Sequence, residues 1–287
     1  MTTSSIYHFF ARLMQRRGYF VENNMLENFE FPDEMIAARS GSGFPDFVLK
    51  TNPDEMFSGG EFLELKDAKS HTITPFNSTL PSARKNVAML DQNVRGQMIE
   101  AGEDLEAMPE REVYYLIRGV KRAQPSPLAK TLLVSGAFFE TVPSEQVLSD
   151  AFEQVTKASI PEHMDAKEIA GYYDVQQKNF AATRQIEGSS ISVRFRVMVQ
   201  VDAGANLMSS QKYPMIGTNT LTLLLHENGL RQQGTFDWDD APATIRECGA
   251  YVRLNIALED VEHDLKRLLR VSVLHHPKNG PFFMAQV

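Results

Sequence analysis

The chain has 287 residues, 43% of them hydrophobic and 23% charged, which is enough to bury a sizeable core in one large domain or two small ones. A net charge of −8 counts against a simple basic nucleic-acid module, and the single cysteine, Cys248, excludes an internal disulfide and a cysteine-rich zinc site. No run of 18 apolar residues marks a membrane span and no secretory leader opens the chain, so the expected setting is reducing and cytoplasmic.

In chain order, residues 4–17 read as a helix that Ser4 or Ser5 can cap, with Ile6, Phe9, Phe10, Leu13 and Met14 on one face. Residues 24–38 read as partly helical, broken at Pro32. Ser40-Gly41-Ser42-Gly43 is a turn, and the short apolar run 44–50 (FPDFVLK) is β-prone. A polar, glycine-containing stretch, 51–60, leads to a second strand, 61–68 (EFLELKDA), so the two runs form a hairpin with a long connection. Residues 71–85 read as a loop and 87–101 as a helix. Strands are expected at 113–120 and 131–139, and a helix at 144–157. The alternation of 190–201 marks a half-exposed strand. Residues 221–226 are ambiguous. Strands at 250–258 and 271–275 flank a helix at 260–269. The whole is mixed α/β in a single domain, with a core over about residues 1–157 and elaborations over about 158–287.

The hairpin carries the chemistry. Strand side chains alternate, so Glu64 and Lys66 share one face while Leu63 and Leu65 share the other. On the first strand Phe47 and Leu49 supply a core face and Asp46 points the other way. Pairing of the two strands brings two carboxylates and one ammonium together. That set suits phosphodiester hydrolysis: magnesium takes oxygen ligands and keeps several waters, and a lysine beside it can orient or deprotonate the attacking water.

Pro45-Asp46, seventeen residues, then Glu64-Leu65-Lys66 resembles the signature of the PD-(D/E)xK nucleases. The resemblance covers about 25 residues and implies a restriction-endonuclease-like core, a central mixed β-sheet flanked by helices, here with additional C-terminal strands. It also implies magnesium held by Asp46, Glu64 and the main-chain carbonyl of Leu65, with Lys66 near the attacking water and cleavage leaving a 5′-phosphate. Of the other Pro-Asp pairs, Asp33 lies in a polar segment and Asp54 in the turn. The rival triplet Asp67-Ala68-Lys69 has the phase of Leu63 and Leu65, and Asp264-Leu265-Lys266 lies on a helix. The family often adds an upstream glutamate; Glu22 and Glu27 both fit.

Beyond the second strand, residues 71–85 offer Asn77, Ser78, Thr79, Arg84 and Lys85 for contacts to a DNA groove or phosphates. Arg118, Lys121 and Arg122 form the densest basic patch and are candidates to contact phosphate. Arg194 and Arg196 share one strand face. His226-Glu227 and His275-His276 are adjacent pairs that point to opposite strand faces, and they read as structural, as do His263 and Cys248. No Walker-type glycine loop is present, so no nucleotide cofactor is expected. The leading reading is a site-specific endonuclease of double-stranded DNA, a type II restriction enzyme that acts as a homodimer on a palindromic site. A structure-specific repair or recombination nuclease on the same core, and a non-catalytic assembly protein with a chance motif, stay open.

Overall fold

The computed structural model describes residues 3–21, 25–41, 43–51, 57–73, 76–77, 81–123, 126–140, 205–226 and 263–287, with isolated positions at 150, 154, 198–199, 254 and 258. A nine-stranded mixed sheet dominates. From the N-terminal edge inward run β2 (Ile36–Arg39), β3 (Phe47–Leu49) and β5 (Phe62–Ala68), each antiparallel to the next. β8 (Glu110–Lys121) lies parallel to β5, and β9 (Leu128–Ser135) antiparallel to β8. The C-terminal strands continue the same sheet: β11 (Thr220–His226) is parallel to β9, followed by β13 (Gly280–Gln286) and β12 (Arg270–His276) at the far edge. β7 (Arg84–Asn86) pairs with the start of β8. Two small ladders join β1 (Thr3–Ser4) to β4 (Phe57–Ser58), and β6 (Phe76–Asn77) to β10 (Met198–Val199).

Both faces of the sheet are covered, which explains why its central strands lack clean polar alternation. One face meets α1 (Ser5–Gln15) and α2 (Arg17–Val21): Ile6, Phe9, Phe10 and Leu13 pack on Phe47, Leu49, Leu63 and Leu116. The other face buries Val48, Phe62, Tyr115, Ile117 and Leu132 under Val94 and Met98 of α3 (Gln92–Glu100) and under Leu207 and Met208. Alternate residues of one strand thus feed two cores. The run Leu221–Leu225, apolar nearly throughout, is a central strand for this reason and not a helix.

Several local expectations are corrected. Residues 24–38 were expected to be partly helical; the described part of this range, 25–38, holds 3-10 turns at Leu26–Asn28 and Asp33–Met35 and then the start of β2 at Ile36. Pro32 is extended and cannot continue a helix, and Phe29, Phe31 and Met35 are buried in the core with the apolar face of α1. The expected helix 87–101 is shortened to a 3-10 turn at Val87–Met89 and α3, because Asn86 and Asp91 each cap a separate start. The 71–85 loop contains β6 and β7. Within 250–258, expected as a strand, the two described residues Leu254 and Leu258 are helical and are buried in the same core. β13 carries no alternation, since both of its faces are buried. Of the helix expected at 260–269, His263–Leu268 (α4) is described and ends one residue early, while 260–262 lie outside the described residues. The expected helix 144–157, apart from positions 150 and 154, and the strand 190–201, apart from β10, lie outside the described residues.

A buried carboxyl meets the start of α1. The Ser5 hydroxyl donates to the buried carboxyl of Glu61, which also accepts the Ile6 N–H. A group at the head of β5 therefore satisfies the helix terminus.

Candidate active site

The hairpin of the sequence reading forms as β3 and β5, with Phe47 opposite Leu63 and Val48 opposite Phe62. One rung further, Asp46 comes level with Glu64. Leu49 donates its N–H to the Glu61 carbonyl, so every second residue of β3 turns its N–H toward β5. Continuing that pattern, position 45 would donate to Leu65. Pro45 has no N–H to give, so the ladder ends there. The Asp46 side chain takes up the Leu65 backbone instead: the Leu65 N–H donates to Asp46 Oδ2 at 2.6 Å. A strand residue's N–H and C=O point the same way, so the Leu65 carbonyl faces this end of β3 as well.

Asp46, Glu64 and Lys66 are thus brought together on the α3 side of the sheet. Lys66 Nζ donates to Glu64 Oε1 at 2.7 Å, with side-chain exposures of 15% and 7%. The second oxygen, Glu64 Oε2, is buried and finds no hydrogen-bond partner among the described residues. Burial raises the pKa of both carboxyls above the ordinary range. For Glu64 the next cause is repulsion from Asp46; for Asp46 the Leu65 N–H and the Lys66 charge work in the opposite direction. Two carboxylates desolvated side by side, one with a spare oxygen, form a place where a hard cation would be held. Among the described residues no three His, Cys, Asp or Glu side chains converge in a metal-binding arrangement, so the acidic set here is a pair, with a main-chain carbonyl beside it.

Around this centre the other sequence-derived residues sort differently. Lys85, on β7, is half-buried, and its Nζ lies 4.1 Å from the centroid of the Phe44 ring. Burial pushes its ammonium down to about 8, against the pull of Glu64 and Glu140. Arg84, next to it, is exposed and faces Glu112 at 3.5 Å. Asn77 stands on β6 opposite Met198, while Ser78 and Thr79 lie outside the described residues. Lys121 and Arg122 are exposed at the end of β8. Arg118 departs from the expectation of a surface phosphate contact: it is 2% exposed and pairs at 3.5 Å with Asp67, on the α2 side of the sheet. Asp67 also accepts the Leu26 N–H at 3.0 Å. The rival acidic residue is therefore committed to structure, with the phase expected of it.

Of the upstream glutamates, Glu22 lies outside the described residues, as do Asp54, Arg194 and Arg196. Glu27, on the 3-10 turn beside β5, is near enough to raise the pKa of both Asp46 and Asp67. Asp33 pairs with Arg39 away from the centre. His226 and His276 make the hydrogen bonds of structural residues. His276 Nδ1 accepts from the Lys278 and Asn279 backbones, and His226 Nε2 meets the Asn279 carbonyl at 3.0 Å. Sequence reasoning missed Phe44 as part of the site. Its place directly before Pro45-Asp46 was visible, but nothing in the pattern showed a cation over its ring.

Comparison with known family models, with curated proteins and with solved structures returned no match.

Proposed function

We propose that the protein is a magnesium-dependent endonuclease of double-stranded DNA, of the PD-(D/E)xK type, and that it acts as a site-specific type II restriction enzyme. The observation that carries this reading is the junction of Asp46, Glu64 and Lys66 at the point where Pro45 ends the β3–β5 ladder, with Glu64 Oε2 buried and unpartnered among the described residues. The large mixed sheet with helices on both faces agrees with the core that the signature implies.

Asp46, Glu64 and the Leu65 carbonyl are the groups that would hold the metal, and their all-oxygen character suits magnesium. Bound there, the metal would supply charge neutralisation on a phosphate and a lowered pKa for a water it carries. Lys66 is tethered to Glu64, and its ammonium can orient the attacking water and offset charge that develops on the phosphate. The Leu65 N–H fixes the Asp46 carboxylate, so that residue is pre-oriented by the backbone of β5. Lys121 and Arg122, exposed at the end of the strand next to β5, are available for phosphates further along the duplex. A two-fold dimer would set one such centre on each strand of a palindrome.

Purified protein is incubated with supercoiled plasmid and phage-length DNA, in magnesium and in EDTA. Discrete bands that need magnesium support a site-specific nuclease. Smearing or cutting confined to branched DNA moves the reading to a repair-type nuclease, and no cutting moves it to a non-catalytic assembly protein.

A further inference from the structure

We infer that Lys85 is a second cation of the active site, a positioning residue that holds a phosphate oxygen of the bound DNA beside Glu64. The inference rests on the nuclease reading above and extends it to a residue that no spacing ties to the signature.

Lys66 is already engaged, its Nζ on Glu64 Oε1. Lys85 reaches the same carboxylate's field from a different element. β7 pairs antiparallel with the start of β8, Lys85 opposite Arg111, and β8 runs beside β5 with Tyr115 opposite Glu64. The ammonium lies over Phe44, whose own ring packs edge-on against Phe62 at 5.8 Å. Phe44 precedes Pro45-Asp46 directly, and Phe62 stands two residues before Glu64. The ring is therefore fixed by the two strands that carry the carboxylates, and it fixes the cation relative to both. An ammonium offers three N–H donors, and those of Lys85 meet no protein acceptor among the described residues; a ring face attracts the charge but uses none of them up as a carboxylate would. Glu64 and Glu140 attract it from beyond ion-pair distance. A half-buried cation, held in place over a ring with its donors unused among the described residues, fits an anionic ligand with several oxygens. A backbone phosphate is that ligand. Arg84, exposed and turned to Glu112, lacks this arrangement.

The test measures binding of a fluorescein-labelled duplex fragment of plasmid DNA by anisotropy, in calcium, across a salt series. The full chain is compared with Lys85→Met and Lys85→Arg, each checked for an unchanged thermal midpoint. Loss of one phosphate contact lowers the slope of log K against log salt by about 0.9. The expected result is that loss in Lys85→Met and recovery of the slope in Lys85→Arg. A parental slope in Lys85→Met, in a protein that binds DNA, overturns the assignment. Cleavage by the unmodified chain is scored separately: without cutting the nuclease reading fails, while the slope still decides on Lys85. If the unmodified chain does not bind DNA at all, both fail.

Discussion

Replacing Arg111 by methionine tests how the hairpin is held. Arg111 and Glu103 form an ion pair at 2.7 Å with side-chain exposures of 0% and 1%. The same guanidinium Nη1 donates to the Gly60 carbonyl at 3.2 Å, and the other Glu103 oxygen accepts the Thr51 N–H at 2.8 Å. Thr51 follows β3 and Gly60 precedes β5, so the pair ties together the two ends of the connection between the strands that carry Asp46 and Glu64. Gly60 has a φ of 51°, and a Cβ there would overlap Arg111 and Thr51, which is why the position takes glycine. Arg111→Met leaves Glu103 buried without its counter-charge, a loss of about 3–5 kcal/mol. For a chain of this size that lowers the thermal midpoint by about 5–9 °C. The double variant Arg111→Met/Glu103→Gln removes the stranded charge while keeping an acceptor for Thr51, and it should recover about 2 kcal/mol or more of the loss. Urea and thermal unfolding of the parent, both singles and the double complete a double-mutant cycle. If Arg111→Met lies within about 1 kcal/mol of the parent, or the double variant is no better than that single, the pair does not hold the hairpin as argued.

Other expectations follow from the same geometry. Glu61 titrates near the ordinary 4.5 when unfolded and at about 8 when folded, because it is buried. Its folded pKa is raised, so the associated stability is fully present below the unfolded value and is lost as pH rises through about 8. Glu61→Gln should flatten that loss, on the order of a few kcal/mol, in urea melts run from about pH 5 to about pH 9. Magnesium binding by calorimetry should weaken with acid at a higher pH than an ordinary carboxylate pair would show, since protons held by Asp46 and Glu64 compete with the cation; Glu64→Gln should abolish the binding heat, and an unchanged heat would rule out this carboxylate as a ligand. A Cβ at Gly136 would overlap the Ser82 carbonyl, so Gly136→Ala should push the 81–83 segment off the sheet and cost about 1–3 kcal/mol; a neutral result by thermal melting would show that the segment yields.

The parts of this fold legible in the sequence are those that depend on spacing. Alternation placed Glu64 and Lys66 on one face and Leu63 and Leu65 on the other, and the structure keeps that phase on β5. α1 was visible because its apolar stripe meets a single core. What stayed hidden depends on contacts between distant segments. β11 and β13 are buried on both faces, so their side chains carry no period to read. Arg118 looked like part of a surface patch because Lys121 and Arg122 follow it, but its strand phase turns it under α2 toward Asp67. Lys85 looked like one more loop cation, and only the pairing of β7 with β8 brings it over Phe44.

The most direct test of the central claim is a cleavage assay on plasmid and phage DNA with the parent, Asp46→Asn, Glu64→Gln and Lys66→Ala, in magnesium and in EDTA, with the ends of any product analysed. The expected result is discrete fragments with 5′-phosphate ends in the parent with magnesium alone, and a loss of at least 10²-fold in each variant, the scale of a lost acid–base or electrostatic catalyst. Fragments produced equally by the parent and by Lys66→Ala, or produced in EDTA, would contradict the account.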